Sequence, residues 1–474
     1  MRVTVIGTGY VGTVTGACLA YLGHPVVCVD TDPEKIARLQ KGESPIYEPH
    51  LEELLAQASG RGGIEFTTEL APAVASSDVI FIAVGTPPLP TGEADLRYLE
   101  DAARSIGNAM DASRFRVVVN KSTVPVGSGN LVEVLVREGI SESRPAEQRG
   151  IRFGVASNPE FLREGSAVGD SLYPDRIVVG TSDAKTLELM MALYEPLVSQ
   201  SFSAPDGLPR PASMAPVRLL STSLTSAEMI KYAANAFLAM KIGFANEIAN
   251  ICERVGAEAT EVMTGIGLDS RIGTKFLNAG IGWGGSCFGK DVRALLHTAR
   301  EYGYESRLLQ ASLDVNQAQR QMVIQKLQEK LYILKGRTIT LLGLAFKPET
   351  DDLRDAPSIQ IAERLLQAGA RIKAYDPVAM PVCSAQRPDL KIRYCETAEE
   401  AATDSDALVV VTEWQQFRKL NLTEIAALMT SRILVDGRNI FSPEQAAAAG
   451  FDYTGVGRVR SARARESVSV ETAG

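Results

Sequence analysis

The chain has 474 residues, more than one hydrophobic core usually holds, so two or three domains are expected. Apolar residues at 45% and charged residues at 22% are ordinary for a soluble globular protein. The net charge of −8 argues against a general nucleic-acid binder, which needs clustered positive charge; a local basic pocket for a small phosphorylated ligand stays open.

An apolar strand, Val3 to Ile6, stands at the start, with no signal-peptide apolar region before it. A glycine turn, a helix and a second strand, Val26 to Val29, follow. The apolar runs V-I-F-I-A-V and R-V-V-V-N supply further strands of this half. Ser199 to Pro216 is rich in Ser, Pro and Ala and reads as a poorly ordered surface loop. Ser226 to Val255, with Gly243 its one glycine, reads as one long helix, and Ser306 to Leu334 as another. A second α/β unit opens at Arg337: T-I-T-L-L-G-L-A is strand and turn, a helix lies near Ser358 to Ala368, and R-I-K-A-Y-D-P, A-L-V-V-V and I-L-V-D are strands. Val459 to Gly474 is polar without apolar period and reads as a disordered tail. No short internal repeat is evident.

Short continuous apolar strands alternating with helices indicate parallel sheets buried on both faces. The expected fold is therefore α/β, with two Rossmann-like doubly wound parallel-sheet domains joined by a central helical domain with a long helix. The divisions are an N-terminal domain 1–198, a loop 199–216, a helical domain 217–333, a C-terminal α/β domain 334–458 and a tail 459–474.

The six cysteines form no C-x-x-C pair, and His24, His50 and His297 do not cluster with them, so no metal site is expected. So few cysteines in so long a chain do not make a disulfide framework. No run of about twenty apolar residues is present, so no membrane span is expected. A reducing cytoplasm is the natural compartment.

Gly7-Thr8-Gly9-Tyr10-Val11-Gly12 is a G-x-G-x-x-G directly after a strand and opening a helix. Gly7 allows the tight turn, Gly9 lets backbone approach a pyrophosphate, and Gly12 lets helix and strand pack closely. Asp30 ends the second strand, where a carboxylate accepts from the ribose hydroxyls of NAD and repels the 2′-phosphate of NADP. A glycine turn kept only for packing is the alternative; the strand, the helix and the acid together favour NAD.

Gly280 to Val292 reads G-I-G-W-G-G-S-C-F-G-K-D-V. Its glycines point to backbone lying close to a bound ligand. Cys287 stands three residues from Lys290, and a nearby cation favours the nucleophilic thiolate. By itself a cysteine is more often a small buried apolar residue. Lys231 and Asn235 are spaced i, i+4 and share a helix face, a spacing equally met by a solvated lysine beside a surface asparagine.

At these residues the chain resembles the UDP-glucose/GDP-mannose dehydrogenase family, from residue 1 to about residue 457. The likeness rests on motifs in one order: G-T-G-Y-V-G at 7–12, G-T-P at 85–87, S-T-V-P-V-G at 122–127, N-P-E-F-L-R-E-G at 158–165, K-Y-A-A-N at 231–235, G-W-G-G-S-C-F at 282–288, F-K-P-E-T-D-D-L-R at 346–354 and D-G-R-N at 436–439. The resemblance implies a four-electron oxidation of a sugar nucleotide, UDP-glucose to UDP-glucuronate, by two NAD⁺ in turn. It implies a thiohemiacetal and then a thioester on Cys287. Lys231 and Asn235 would donate to the tetrahedral oxygen. Asp291 and Glu160 match carboxylates that handle protons or position the hydrolytic water, and Thr123 a residue that helps hold that water or the cofactor.

Also by resemblance, Val11, Lys35, Thr86, Glu164, Lys290 and Arg354 are cofactor contacts, together with Gly7, Gly9, Tyr10, Gly12, Asp30 and Thr123. The sugar-nucleotide site would comprise Glu160, Phe161, Leu162, Arg163, Glu164, Lys231 and Asn235. The loop Phe276, Leu277, Asn278, Ala279 and Gly280 would join it, with Gly284, Phe288, Lys347 at the diphosphate, and Arg438. Arg271 resembles an arginine that reaches a neighbouring subunit's substrate, and members of the family dimerise through the long central helix, so a homodimer or higher homo-oligomer is implied. The second α/β unit would hold the UDP end. The chain departs from the family at Gly289, where many members have Pro, and in the length of the 199–216 stretch.

Three other readings compete. A sister enzyme would act on GDP-mannose or a UDP-amino sugar; V-P-V-G and G-W-G-G-S-C-F favour UDP-glucose. A 3-hydroxyacid dehydrogenase of similar plan needs no cysteine, and a non-catalytic NAD-binding scaffold would have lost Cys287, Lys231 or Asn235.

Overall fold

A computed structural model describes residues 1–60, 63–144 and 150–458. The 459–474 tail lies outside the described residues. By contact the chain divides into two compact units: Met1–Ala234 with Arg293–Tyr302, and Asn235–Val292 with Gly303 onward.

The first unit is built on an eight-stranded sheet of order β3-β2-β1-β4-β5-β6-β7-β8. Its strands are β1 Val3–Ile6, β2 Val26–Val29, β3 Ile64–Thr67, β4 Val79–Ile82, β5 Arg116–Asn120, β6 Phe153–Ser157, β7 Arg176–Gly180 and β8 Arg218–Thr222. The order 3-2-1-4-5-6 is that of a dinucleotide-binding sheet, with its topological switch between β1 and β4. The sheet is parallel except at one joint, where β6 and β7 run antiparallel.

The apolar runs are continuous because both faces are covered. Val79 and Phe81 enter one core with Val3, Val5 and Val117, while Ile80 and Ile82 enter another with Val118 and Ile106. Alternate side chains of a strand point to opposite faces, so a strand between two helical layers has no polar side.

Arg218–Thr222, expected at the start of the helical domain, pairs in parallel with β7 as an edge strand of the first sheet. Its side chains are mostly exposed and polar, so it carries no buried-strand signature. The 200–217 stretch is irregular but pinned rather than loose. Tyr173 stacks on Phe202 at 5.9 Å, Tyr173 Oη donates to the Leu208 carbonyl, and Arg210 donates to the Gln200 carbonyl.

The second unit carries a parallel six-stranded sheet of order β11-β10-β9-β12-β13-β14. The strands are β9 Thr338–Leu342, β10 Arg371–Tyr375, β11 Ile392–Tyr394, β12 Ala407–Val410, β13 Ile433–Asp436 and β14 Asp452–Thr454. The same 3-2-1-4-5-6 order recurs, so both halves are doubly wound sheets. Along the chain, between the last strand of the first sheet and the first strand of the second, lie a 32-residue helix, Leu224–Val255, two residues longer at its start than expected, and the helix Arg307–Leu331.

Candidate active site

In the first unit the G-x-G-x-x-G turn lies at the carboxyl end of β1. Gly7 has φ +95°, and a Cβ on it would stand 2.7 Å from the Ala83 carbonyl oxygen. A Cβ on Gly12 would lie 1.8 Å from the Gly7 carbonyl oxygen, so the helix Tyr10–Tyr21 packs this closely only without a side chain there. Gly9 faces open space and caps that helix with no side-chain hydrogen bond, leaving N–H groups for an anion. Val11 lies partly exposed in its first turn.

Asp30 Oδ2 accepts from Thr8 N–H and Thr8 Oγ1, each at 2.7 Å, and pairs with Lys35 at 3.3 Å. Burial pushes its pKa up, and these donors with the Asp32 N–H outweigh it, holding the carboxyl below its ordinary value. Lys35 is thereby tied to the carboxylate that the sequence reading gave to the ribose. Tyr10 Oη donates to Glu48, whose carboxylate also accepts from Gly165 N–H at 2.6 Å and Ala167 N–H at 2.7 Å. Sequence reasoning missed Glu48, a buried acid that clamps the 160–167 segment to the glycine turn. Glu164 is buried in that segment.

Glu160 and Lys231 form a buried ion pair at 2.7 Å, and the other Glu160 oxygen accepts from Leu162 N–H at 2.8 Å. The Phe161 ring lies under Arg176 and Lys231, at 3.6 and 5.5 Å. Arg163 is turned to Asp170, at 2.6 Å. Thr86 Oγ1 donates to the Thr123 carbonyl at 2.7 Å. Thr123, Lys231, Asn120, Ser122, Ser157 and Glu228 line one pocket.

Glu228, also missed, accepts from Gly127 N–H and Gly129 N–H, both at 2.7 Å, and from Ser157 Oγ at 2.9 Å. It caps the helix Ser128–Ser143 from another element and so fixes the Thr123 loop against the long helix. Burial pushes its pKa up despite these donors. Its place three residues before Lys231, on the same helix face, was the available signal.

In the second unit Asn235 Nδ2 donates to Asp291 Oδ2 at 2.6 Å, and Lys290 Nζ meets Asp291 Oδ1 at 2.5 Å. Asp291 is buried, in the first turn of the helix Phe288–Glu301, and its N–H bonds the Cys287 carbonyl. Cys287 is partly exposed, with its sulfur 3.5 Å from Ser286 Oγ. The Lys290 ammonium is engaged by Asp291, the adjacent carboxylate.

The glycines around Cys287 are crowded by the chain itself. A Cβ on Gly284 would lie 2.3 Å from the Asp355 carbonyl oxygen, and one on Gly285 2.7 Å from the Phe346 ring. A Cβ on Gly280 would lie 2.9 Å from the Gly437 carbonyl oxygen, and the Gly280 N–H donates to Asn246 Oδ1. The F-K-P and D-G-R-N motifs thus form walls of the loop that carries the cysteine.

Arg438 holds that arrangement, donating to the Gly282 carbonyl at 2.9 Å and the Val411 carbonyl at 2.7 Å. Phe288 meets Phe276 and Trp283 edge-on. Leu277 and Ala279 are buried and Asn278 exposed. Lys347 lies over the Phe346 ring at 5.4 Å. Arg354 and Arg271 are exposed, held by Asp352 and Asp269.

Asp376 ends β10 as Asp30 ends β2, yet it is fully buried and accepts from Leu344, Ala345, Val378 and Ala379 N–H. The second sheet therefore offers no ribose carboxylate at that place, in contrast to the first.

Residues 1–198, 225–318 and 340–443 match the NAD binding, central and UDP binding domains of the UDP-glucose/GDP-mannose dehydrogenase family. The chain is 46% identical over 457 residues to the UDP-glucose 6-dehydrogenase TuaD of Bacillus subtilis (strain 168), covering 96% of this chain and 93% of that one. A UDP-glucose dehydrogenase structure from Pyrobaculum islandicum superposes with TM-score 0.84 at 39% identity, covering 96% of this chain and 98% of the other. A UDP-D-ManNAc dehydrogenase from Pyrococcus horikoshii gives TM-score 0.81 at 27% identity, covering 97% and 100%.

Proposed function

The chain belongs to the UDP-glucose/GDP-mannose dehydrogenase family, and from that membership we propose that it oxidises UDP-glucose to UDP-glucuronate. The observation that carries the substrate is the 46% identity, over nearly the full length of both chains, to a UDP-glucose 6-dehydrogenase. The sister reading, a UDP-amino sugar, rests on a lower identity of 27%.

NAD is the cofactor; when bound, it accepts the hydride in each of two oxidations. Gly7, Gly9 and Gly12 fit its pyrophosphate, and Asp30 with Lys35 its ribose. Residues of this chain do the rest. At the aldehyde stage the Cys287 thiolate adds to the carbonyl carbon; the C–S bond forms and the π pair moves to oxygen, which takes a proton. Lys231 and Asn235 donate to that oxygen, where one such donor is worth ~10²–10³ in rate. Loss of hydride from carbon and the proton from oxygen gives a thioester. Water then adds and the C–S bond breaks, releasing carboxylate and returning the thiol. Glu160 and Asp291 place that water or carry its proton, and Thr123 helps hold it. Phe161, Leu162, Arg163, Glu164 and the loop 276–280 bound the sugar nucleotide, with Lys347 toward the diphosphate and Arg438 and Phe288 as further substrate contacts.

We place the enzyme in the cytoplasm, as a homodimer or higher homo-oligomer. Phe237, Phe244 and Ile251 recur every seven residues on the long helix and are 61%, 51% and 48% exposed, a stripe suited to a second copy. Among the described residues no helix is long and apolar enough to cross a membrane.

The test is to mix the protein with UDP-glucose and NAD⁺ and count NADH per sugar consumed. Two NADH, with UDP-glucuronate as product, are expected. One NADH would remove the role given to Cys287. None would move the substrate to GDP-mannose or a UDP-amino sugar.

A further inference from the structure

Lys121 follows β5, immediately before the S-T-V-P-V-G motif. Its Nζ donates to Asn158 Oδ1 at 3.0 Å, and Tyr194 Oη donates to the same oxygen at 2.5 Å. The Asn158 amide is closed from its other end, where Nδ2 donates to the Val178 carbonyl at 2.7 Å. The Lys121 ammonium also stands 6.0 Å over the Tyr194 ring. Pro159 then joins Asn158 to Glu160, so the lysine's anchor lies two residues from the carboxylate that pairs with Lys231.

We propose that Lys121 is a positioning residue for the reaction, a second cation braced by Asn158 and Tyr194 that shares with Lys231 the neutralisation of Glu160. This deepens the proposed function and rests on the roles given there to Lys231 and Glu160. Two ammonium groups and one carboxylate make a cluster with an excess positive charge. With Lys121 charged, Glu160 is stabilised from two sides, and Lys231 is held less tightly and keeps donor capacity for a substrate oxygen. With Lys121 neutral, Lys231 becomes the only cation of the cluster and is drawn to Glu160.

The groups acting on Lys121 come from three elements: Glu160 and Asn158 from the segment after β6, Tyr194 from the helix Ala184–Ser199, and Lys231 from the long helix. Tyr194 is neutral, its phenol pushed up by burial. Desolvation is the largest influence on Lys121. Glu160 opposes it and Lys231 adds to it, and the ammonium pKa is lowered to about 8. Lys121 therefore loses its proton in the range where the enzyme can be assayed, whereas an ordinary lysine does not.

The test compares wild type, Lys121→Met, Lys121→Arg and Glu160→Gln, measuring kcat and KM for UDP-glucose with NAD⁺ from pH 6 to 10. Wild type should lose kcat as pH rises through about 8. Lys121→Met should lower kcat about tenfold at neutral pH, with KM little changed, and should lack that limb, because the charge is already gone. Lys121→Arg should restore most of the rate and carry it to higher pH, since guanidinium stays protonated. The Lys121 role is overturned if the limb is unmoved in both lysine variants. It is equally overturned if Met and Arg lose the same rate at every pH, as a merely structural part would. Glu160→Gln at wild-type rate would remove the premise itself. An inactive Glu160→Gln beside wild-type-like Lys121 variants refutes the Lys121 role alone.

Discussion

Replacing Lys231 by Met deletes the ammonium 2.7 Å from Glu160 Oε1, where the two side chains are only 5% and 6% exposed. Breaking a buried pair by removing one partner typically costs ~3–5 kcal/mol, because the other charge is left desolvated. Glu160 keeps the Leu162 N–H at 2.8 Å and stays in the field of Lys121, so the low end, about 3 kcal/mol, is expected for Lys231→Met. The double variant Lys231→Met with Glu160→Gln replaces both charges by neutral groups of similar shape. It should lie within about 1 kcal/mol of wild type, recovering about 2 kcal/mol over the single variant. Urea unfolding at pH 7, with midpoints compared at unchanged slope, reads both numbers. NADH production should fall at least ~100-fold in both variants, because stability returns and the donor does not. A double variant no more stable than the single one would refute a buried, uncompensated carboxylate as the cause.

Three further outcomes are expected. Cys287→Ser should abolish the four-electron oxidation, since an oxygen ester is a poorer acyl carrier than a thioester; two NADH per sugar at the wild-type rate would sink covalent catalysis. Phe237→Glu with Phe244→Glu should give a monomer by light scattering with unchanged circular dichroism, because both rings are exposed in the single chain; a persistent dimer would exclude this stripe. Asp111 is held down to about 2 by the Ser113 hydroxyl, with further help from Arg116, so its folded pKa lies below the unfolded one. Its stabilisation is thus present above about pH 4 and lost as pH falls toward 2, worth at most about 2 kcal/mol. Asp111→Asn should flatten this part of the acid-unfolding curve; a curve identical to wild type would contradict it.

What the sequence by itself determined was the part governed by local chemistry and by burial on both faces. Val3–Ile6, Val79–Ile82 and Ile433–Asp436 were legible because a strand covered on two sides is largely apolar on both faces. The turn at Gly7 was legible because its positive φ and the closeness of Ala83 exclude a side chain. The long helix was legible from the absence of breakers.

Arg218–Thr222 was not legible, since an exposed edge strand has no apolar pattern and exists only through its pairing with β7. The glycines before Cys287 announced a close approach, but only the tertiary structure decided that the Asp355 carbonyl and the Phe346 ring occupy that space. Lys290 read as a cation three residues from the thiol, and only the fold showed that its ammonium meets Asp291. Glu48, Glu228 and Lys121 stayed hidden for the same reason. A polar side chain's work is defined by its partners, and Gly165, Gly127 and Asn158 lie 117, 101 and 37 residues away along the chain.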